Sequence, residues 1–294
     1  MHRSRIYRDD LLEGKKAIVT GGGTGIGAAI TAELAALGCE VFICSRKQEN
    51  VEPAAREIRE AVGKHPVHWG LCDIRKHEEV DRVVDEALQK MGRIDFLVNN
   101  AGGQFPSPAA AYTDNGWNAV IGNNLTGPWY FTQSTAKKAL FRQNGGKVIF
   151  ITADCHRGMP GLAHTSAARA GAQNLAMTLA IEWASFNIKV NCVAPGTVFS
   201  TGMRVYPKDV VFTTARHIPL KRLGSVEEIA QAVTYLLSPA GDWITGETLK
   251  IDGGAHLWGD RWPIPDPKDF EKTHGWPPPA PFGGYEGHDE DKKK

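Results

Sequence analysis

Between residues 15 and 254, short β-branched runs alternate with longer stretches of helical period, the pattern left by strand–helix–strand units that feed one parallel sheet. Five apolar runs read as buried strands: residues 16–20, 41–44, 96–99, 148–151 and 189–193. Each is nearly continuous rather than alternating, as expected where helices cover both faces of a sheet. Helical period marks residues 25–37, 51–62, 78–91, 162–184 and 226–237. Before the last of these, Ser225 and Glu228 spell a capping box, in which a side-chain oxygen meets orphan N–H groups and a carboxylate reaches back. No repeat and no linker interrupts the alternation, so residues 15–254 are read as one α/β domain behind an arm of residues 1–14. Residues 255–294 break the pattern with seven of the 17 prolines, Trp258, Trp262, Trp276 and a charged end at Asp289-Glu290-Asp291-Lys292-Lys293-Lys294. They read as a tail that lies along the chain's own surface or a neighbouring subunit, or borders a substrate entrance.

Composition narrows the class. With 294 residues, 42% hydrophobic and 23% charged, the chain has enough apolar surface to bury about three-quarters of its unfolded area. Lys and Arg number 34 against 33 Asp and Glu, so no chain-wide basic field attracts nucleic acid. No run of about 18 uncharged apolar residues offers a membrane span. Cys39, Cys44, Cys72, Cys155 and Cys192 are odd in number and never form a CxxC pair, which points to reduced thiols in a cytoplasm rather than a disulfide framework or a metal site.

The chemistry starts at Thr20-Gly21-Gly22-Gly23-Thr24-Gly25-Ile26-Gly27, between the first strand and the first helix. Glycines there permit a tight turn and let the backbone approach a pyrophosphate, whose charge meets the free N–H groups of the helix start. The second strand ends in Ser45-Arg46-Lys47, where an NAD site often places a carboxylate. Two cations and no carboxylate favour a 2′-phosphate, hence NADP(H), unless Arg46 and Lys47 are ordinary solvated cations.

These strings resemble the short-chain dehydrogenase/reductase superfamily over residues 12–254, together with Asp73-Ile74, Asn99-Asn100-Ala101-Gly102, Asn124-Leu125-Thr126-Gly127, Pro195-Gly196-Thr197 and Asp252-Gly253-Gly254. The resemblance implies a doubly wound parallel sheet, the Rossmann fold, in a homotetramer. It further implies that Asp73 and Ile74 lie beside adenine and that Asn99, Ala101 and Gly102 line the cofactor cleft. Asn124 would bend a helix near the reaction centre, and the loop after Pro195 and Gly196, with Val198 and Thr201, would hold the nicotinamide carboxamide.

The departure falls on the catalytic tetrad. Where the superfamily has Tyr-x-x-x-Lys, this chain has Thr165 and Arg169, and the Ser position falls at Thr152 or Ala153. A threonine hydroxyl is too weak an acid to protonate an alkoxide, and an arginine cannot pass a proton. Losing a positioned acid costs about 10²–10⁴ in rate, roughly 3–6 kcal/mol of barrier. Hydride addition to an enoyl thioester is less affected, because the enolate that forms first needs only hydrogen-bond donors. Thr165 and Arg169 stand four apart on one helix face, so Thr165 is expected to polarise and Arg169 to bind ribose and add positive potential.

Asn100-Ala101-Gly102-Gly103-Gln104-Phe105 and His164-Thr165-Ser166-Ala167-Ala168-Arg169 look like the peroxisomal trans-2-enoyl-CoA reductase branch, which lacks the usual Tyr and Lys. The related 2,4-dienoyl-CoA reductases share the Ser-Arg-Lys strand end. Asp154 lies 15 residues before Arg169, the offset at which those enzymes carry a functional Tyr. It is the candidate acid, or else it caps a turn or pairs with Arg157. Gln104, Phe105, His156 and His164 are candidate substrate contacts, the two histidines being equally readable as structural. Arg204, Lys208, Arg216, Lys221 and Arg222 suit the phosphates of CoA or a solvated loop. The expected activity is reduction of a 2-enoyl-CoA or 2,4-dienoyl-CoA by NADPH. A citronellol-type alcohol dehydrogenase or carbonyl reductase with another proton donor, and an idle NADP(H)-binding protein, are the alternatives.

Overall fold

The strand order β3-β2-β1-β4-β5-β6-β7 places the first strand inside the sheet, next to the central β4, and reverses the direction of winding between them. The strands are β1 Lys16–Thr20, β2 Glu40–Ser45, β3 Val67–Leu71, β4 Phe96–Asn99, β5 Gly146–Ile151, β6 Ile188–Pro195 and β7 Thr248–Ile251. Every pairing is parallel, with Ala17 opposite Phe96 and Val41 on neighbouring strands. The order is that of a doubly wound Rossmann sheet, in which the crevice beyond the carboxyl ends of β1 and β4 is the switch point that takes ligands. A computed structural model describes residues 6–63, 65–201 and 208–257, with only the backbone of 208–212. Residues 6–257 form one compact unit. Arg204, the side chain of Lys208 and the tail with Trp258, Trp262 and Trp276 lie outside the described residues.

Alternation along each strand divides the core. Ala17, Val19, Val41, Ile43, Val98 and Ile149 face α1 (Gly25–Ala36), α2 (Gln48–Val62) and α9 (Val226–Leu237). Ile18, Phe42, Leu97, Val148, Phe150 and Val190 face α3 (His77–Met91), α5 (Gly127–Thr135) and α7 (Ala163–Glu182). All twelve strand side chains are fully buried or nearly so, which is why their runs read as continuous apolar sequence. The arm is tied down as well: Leu12 is buried and donates its N–H to Leu37 O at 2.8 Å, and Tyr7 Oη donates to Gln231 O at 2.9 Å.

Two edge strands are absent from the five apolar runs. β3 carries His68 and Gly70, and β7 carries Thr248 and Lys250, because each edge has one side open and needs less apolar surface. The largest difference is a composite helix: α4 (Asp114–Ile121), a π-turn at Gly122–Thr126, α5, a second π-turn at Ala136–Leu140 and α6 (Phe141–Gln143). Gly116, Gly122, Gly127 and Pro128 hide its period, and Pro128 cannot donate an N–H to the ladder. A short helix α8 (Lys208–His217) precedes α9, whose Ser225–Glu228 capping box forms as read from sequence. No helix among the described residues is long and apolar enough to cross a membrane.

Candidate active site

The turn between β1 and α1 is shaped by what its glycines lack. A Cβ at Gly23 would stand 1.9 Å from Asn50 O, and one at Gly27 would stand 2.1 Å from Gly21 O. Only a glycine closes that turn. Thr24 gives α1 no side-chain cap, so the first-turn N–H groups and the positive end of the helix face outward. The turn is fastened to β4 by Asn100, whose Nδ2 donates to Thr20 O at 3.0 Å and Gly21 O at 3.2 Å. Thr20 Oγ1 in turn accepts from the N–H groups of Asn100 and Ala101 at 3.0 and 2.9 Å. The sequence strings contain Thr20 and Asn100, but only their spatial meeting shows this clamp. From the far side, Thr201 Oγ1 comes within 3.1 Å of where a Gly25 Cβ would be, which brings the loop after Pro195, Gly196 and Val198 over the same turn.

At the end of β2, Ser45 Oγ accepts from Lys47 N–H at 3.1 Å and shapes the bend into α2. Lys47 makes an exposed ion pair with Glu49 at 3.2 Å, whereas Arg46 is exposed with no ion-pair partner among the described residues. Asp73 is gripped by Arg75 through Nε at 2.9 Å and Nη2 at 2.6 Å, and that hydrogen bonding holds its carboxyl at about 2. Ile74 beside it is buried against Gly127, where a Cβ would lie 2.7 Å from Ile74 Cγ1. A glycine cradle, an uncapped helix start and a cation at the second strand's end together fit an adenine dinucleotide.

The reaction end gathers around Gly102. A Cβ there would lie 2.6 Å from both Arg169 Nη2 and Asn124 Oδ1, so those two side chains meet over bare backbone. Asn124 sits in the first π-turn and donates to Val120 O at 2.9 Å and Gly103 O at 2.7 Å. Its Oδ1, like that of Asn99, is a buried acceptor with no hydrogen-bond partner among the described residues. Arg169 Nη1 donates to Ile151 O, and burial lowers the guanidinium to about 10, leaving it cationic at neutral pH. An open acceptor on Asn124 beside a buried cation, with a second on Asn99 at the end of β4, suits the ribose hydroxyls and carboxamide of a nicotinamide nucleoside.

Neither hydroxyl near the tetrad positions is open. Thr152 Oγ1 donates to Val193 O at 3.3 Å and accepts from Gln173 Nε2 at 3.2 Å. Thr165 is wholly buried, with Oγ1 3.2 Å from His164 Nδ1. That nitrogen also accepts the Thr165 N–H at 2.8 Å, and Nε2 is buried with no hydrogen-bond partner among the described residues. Burial lowers the pKa of His164 and favours the neutral ring. Phe105 meets it edge-on at 4.7 Å and Tyr112 lies 4.3 Å away, with Trp117 6.3 Å beyond Tyr112. Tyr112 Oη donates to Gly161 O at 3.1 Å. Phe105 and Trp117 are partly exposed, which makes the wall aromatic and open on one side; Gln104 is half-buried next to Phe105. Tyr112 and Trp117 escape the sequence reading because they lead into or begin the composite helix.

Asp154 does not pair with Arg157, whose Nη2 donates instead to Leu257 O at 3.0 Å. Its buried carboxylate meets His156, with Oδ1 to Nδ1 at 2.7 Å. A second pair stands nearby: Asp252 Oδ2 is 2.8 Å from His256 Nδ1, and the two imidazole centroids are 6.1 Å apart. Of the basic side chains expected to meet phosphates, Arg222 is bound by Glu228 at 2.9 and 2.6 Å, and Lys221 Nζ donates to Arg216 O at 2.7 Å.

Residues 21–256 match the family model described as Enoyl-(Acyl carrier protein) reductase. The peroxisomal 2,4-dienoyl-CoA reductase of Pongo abelii is 37% identical over 256 residues, covering 86% of this chain and 87% of that protein. The glucose 1-dehydrogenase of Gluconobacter oxydans (strain 621H) is 35% identical over 257 residues, covering 85% and 95%. Among solved structures, the citronellol catabolism dehydrogenase of Pseudomonas aeruginosa PAO1 is 40% identical with a TM-score of 0.77, covering 85% of this chain and 98% of that one. Likeness of this extent, on a sheet of this order with a glycine turn suited to a nicotinamide dinucleotide, has one reading: the chain belongs to the short-chain dehydrogenase/reductase family of oxidoreductases.

Proposed function

We propose that the protein is an NADPH-dependent reductase of the carbon–carbon double bond of a 2-enoyl-CoA or 2,4-dienoyl-CoA. The observation that carries this reading is the state of Thr165. At the position of the family's acid stands a wholly buried hydroxyl that faces His164, so a chemistry that needs no phenol there fits best. When bound, NADPH supplies the hydride. Gly21, Gly25, Gly27 and the start of α1 would hold its pyrophosphate, Ser45, Arg46 and Lys47 its 2′-phosphate, and Asn99, Asn124 and Arg169 its nicotinamide half. Arg169 and Asn124 fix the geometry beside the reacting carbon and favour the developing enolate electrostatically. Asp154 then delivers a proton to carbon, and Phe105, Trp117 and Tyr112 offer an apolar wall for the acyl chain. The 37% identity to a 2,4-dienoyl-CoA reductase supports the acceptor class. The test is NADPH oxidation with crotonyl-CoA, trans-2-decenoyl-CoA and a 2,4-dienoyl-CoA; inertness toward all three removes the proposal.

A second reading has a specific observation behind it. Tyr112 brings a phenol to the pocket wall from outside the tetrad, and the structure of a citronellol catabolism dehydrogenase is 40% identical. It requires reduction of NADP⁺ by citronellol and loss of that activity in Tyr112→Phe. NADP(H) binding without hydride transfer in either assay would leave the idle nucleotide-binding protein. The five cysteines are free, buried thiols.

A further inference from the structure

We propose that His156 feeds protons from solvent to Asp154, making the pair a proton inlet for the reaction; this rests on the reductase reading above. Reduction of a double bond consumes one proton from water in every cycle, in addition to the hydride. The Asp154 side chain is only 6% exposed, so on its own it exchanges poorly with solvent. His156 bridges the gap, with Nδ1 2.7 Å from Asp154 Oδ1 and 43% of its side chain exposed. Imidazole is the side chain that gains and loses a proton near neutral pH, which suits it to a shuttle.

The second carboxylate–imidazole pair fixes the surroundings. Asp252, 3% exposed, accepts from the His256 N–H and faces His256 Nδ1, both at 2.8 Å. Burial opposes the charge of Asp252, but the bonds from His256 and the Gly254 N–H outweigh it, and its carboxyl lies below the usual range. His256 is thereby anchored from the end of β7 and flanks His156 at the end of β5. On the same loop burial raises the pKa of the Cys155 thiol, which also feels Asp154, Arg169 from α7 and Lys250 from β7. His156 is the imidazole that faces Asp154 from the solvent side.

The steps balance without any electron transfer. The Nδ1–H bond of the imidazolium breaks as an O–H bond forms on Asp154. That O–H bond breaks as the C–H bond forms on the substrate carbon. The neutral imidazole then recovers its proton from water.

The test compares His156→Ala and His156→Gln with the full-length wild-type protein, using NADPH and the best thioester of the panel. The expected result is a kcat lower by about 10- to 100-fold, with KM and NADPH affinity within about twofold. The pH profile changes shape, the D₂O effect on kcat grows, and added imidazole restores His156→Ala. A kcat within twofold of wild type, or a loss that imidazole does not restore and that appears in KM, overturns the relay. The resting protein gives a separate check by proton NMR: a downfield imidazole N–H signal present in wild type and lost in Asp154→Asn. Its absence overturns the pair whatever the substrate. A wild type that shows this signal but turns over no thioester defeats the reductase reading, and the relay falls with it.

Discussion

Gly102 shows how a single missing methyl group organises the reaction centre. Alanine there would place Cβ 2.6 Å from Arg169 Nη2 and Asn124 Oδ1. Both atoms are the ends of side chains, so the fold survives by moving them, but the guanidinium is displaced, which under the proposed reductase reading takes it from beside the reacting carbon. Gly102→Ala should therefore lower kcat/KM by about 100-fold while circular dichroism and the melting temperature stay near wild type. Arg46 is the second residue with a sharp expectation. It is exposed, has no ion-pair partner among the described residues and stands where a carboxylate would select NADH. Arg46→Ala should reduce the preference for NADPH over NADH by about 10- to 100-fold, read as the ratio of kcat/KM values. An unchanged ratio would assign the 2′-phosphate to other groups.

At the level of elements, legibility followed burial. The five strands read from apolar runs lie at the centre of the sheet, covered on both faces, and β1 and β4 match the pattern residue for residue. The edge strands β3 and β7 and the composite helix from α4 to α6 do not show in the pattern, since open edges tolerate polar residues and π-turns shift the helical period. This omission explains why Tyr112 and Trp117 were not candidates, although Asn124, known through its motif, was. Helix starts were easier to see. At α9 the Ser225 side chain accepts from the Glu228 N–H at 3.3 Å, and Glu228 Oε2 accepts from the Ser225 N–H at 2.8 Å. Ser225→Ala removes one half of that exchange and should cost about 1 kcal/mol. The melting temperature should fall by about 2–4 °C in calorimetry.

For the molecule as a whole, acid is the informative variable. Hydrogen bonds from Arg75 and Arg222 hold the carboxyls of Asp73 and Glu228 at about 2, whereas in the unfolded chain they titrate near 4. Their contribution is complete above about pH 4 and is lost as pH falls toward 2, because the unfolded state takes up protons first. Asp73→Asn should flatten the fall of unfolding free energy between about pH 4 and pH 2, measured by urea titration at each pH. The outer surface carries a second expectation. Ile181 is 81% exposed on α7 and Trp243 is 98% exposed before β7, apolar groups that contacts between copies would cover in the homotetramer the family resemblance implies. Sedimentation should give four chains, and Ile181→Glu combined with Trp243→Glu should dissociate them; a monomeric wild type would refute the assignment.

Sequence alone determined the α/β class and the nucleotide turn, and set Thr165 and Arg169 at the positions where the resemblance expects Tyr and Lys, because each is written in local residue order: period, glycine spacing and side-chain identity. It also named Asp154, Arg169 and Asn124. Only the tertiary structure decided their partners. His156 rather than Arg157 meets Asp154, His164 takes the Thr165 hydroxyl, and Asn100 fastens the glycine turn to β4. The first two pairings are local and turn on the conformation of a loop and a helix start, which residue order leaves open; the third joins residues 80 positions apart and depends on which strand ends the sheet brings together.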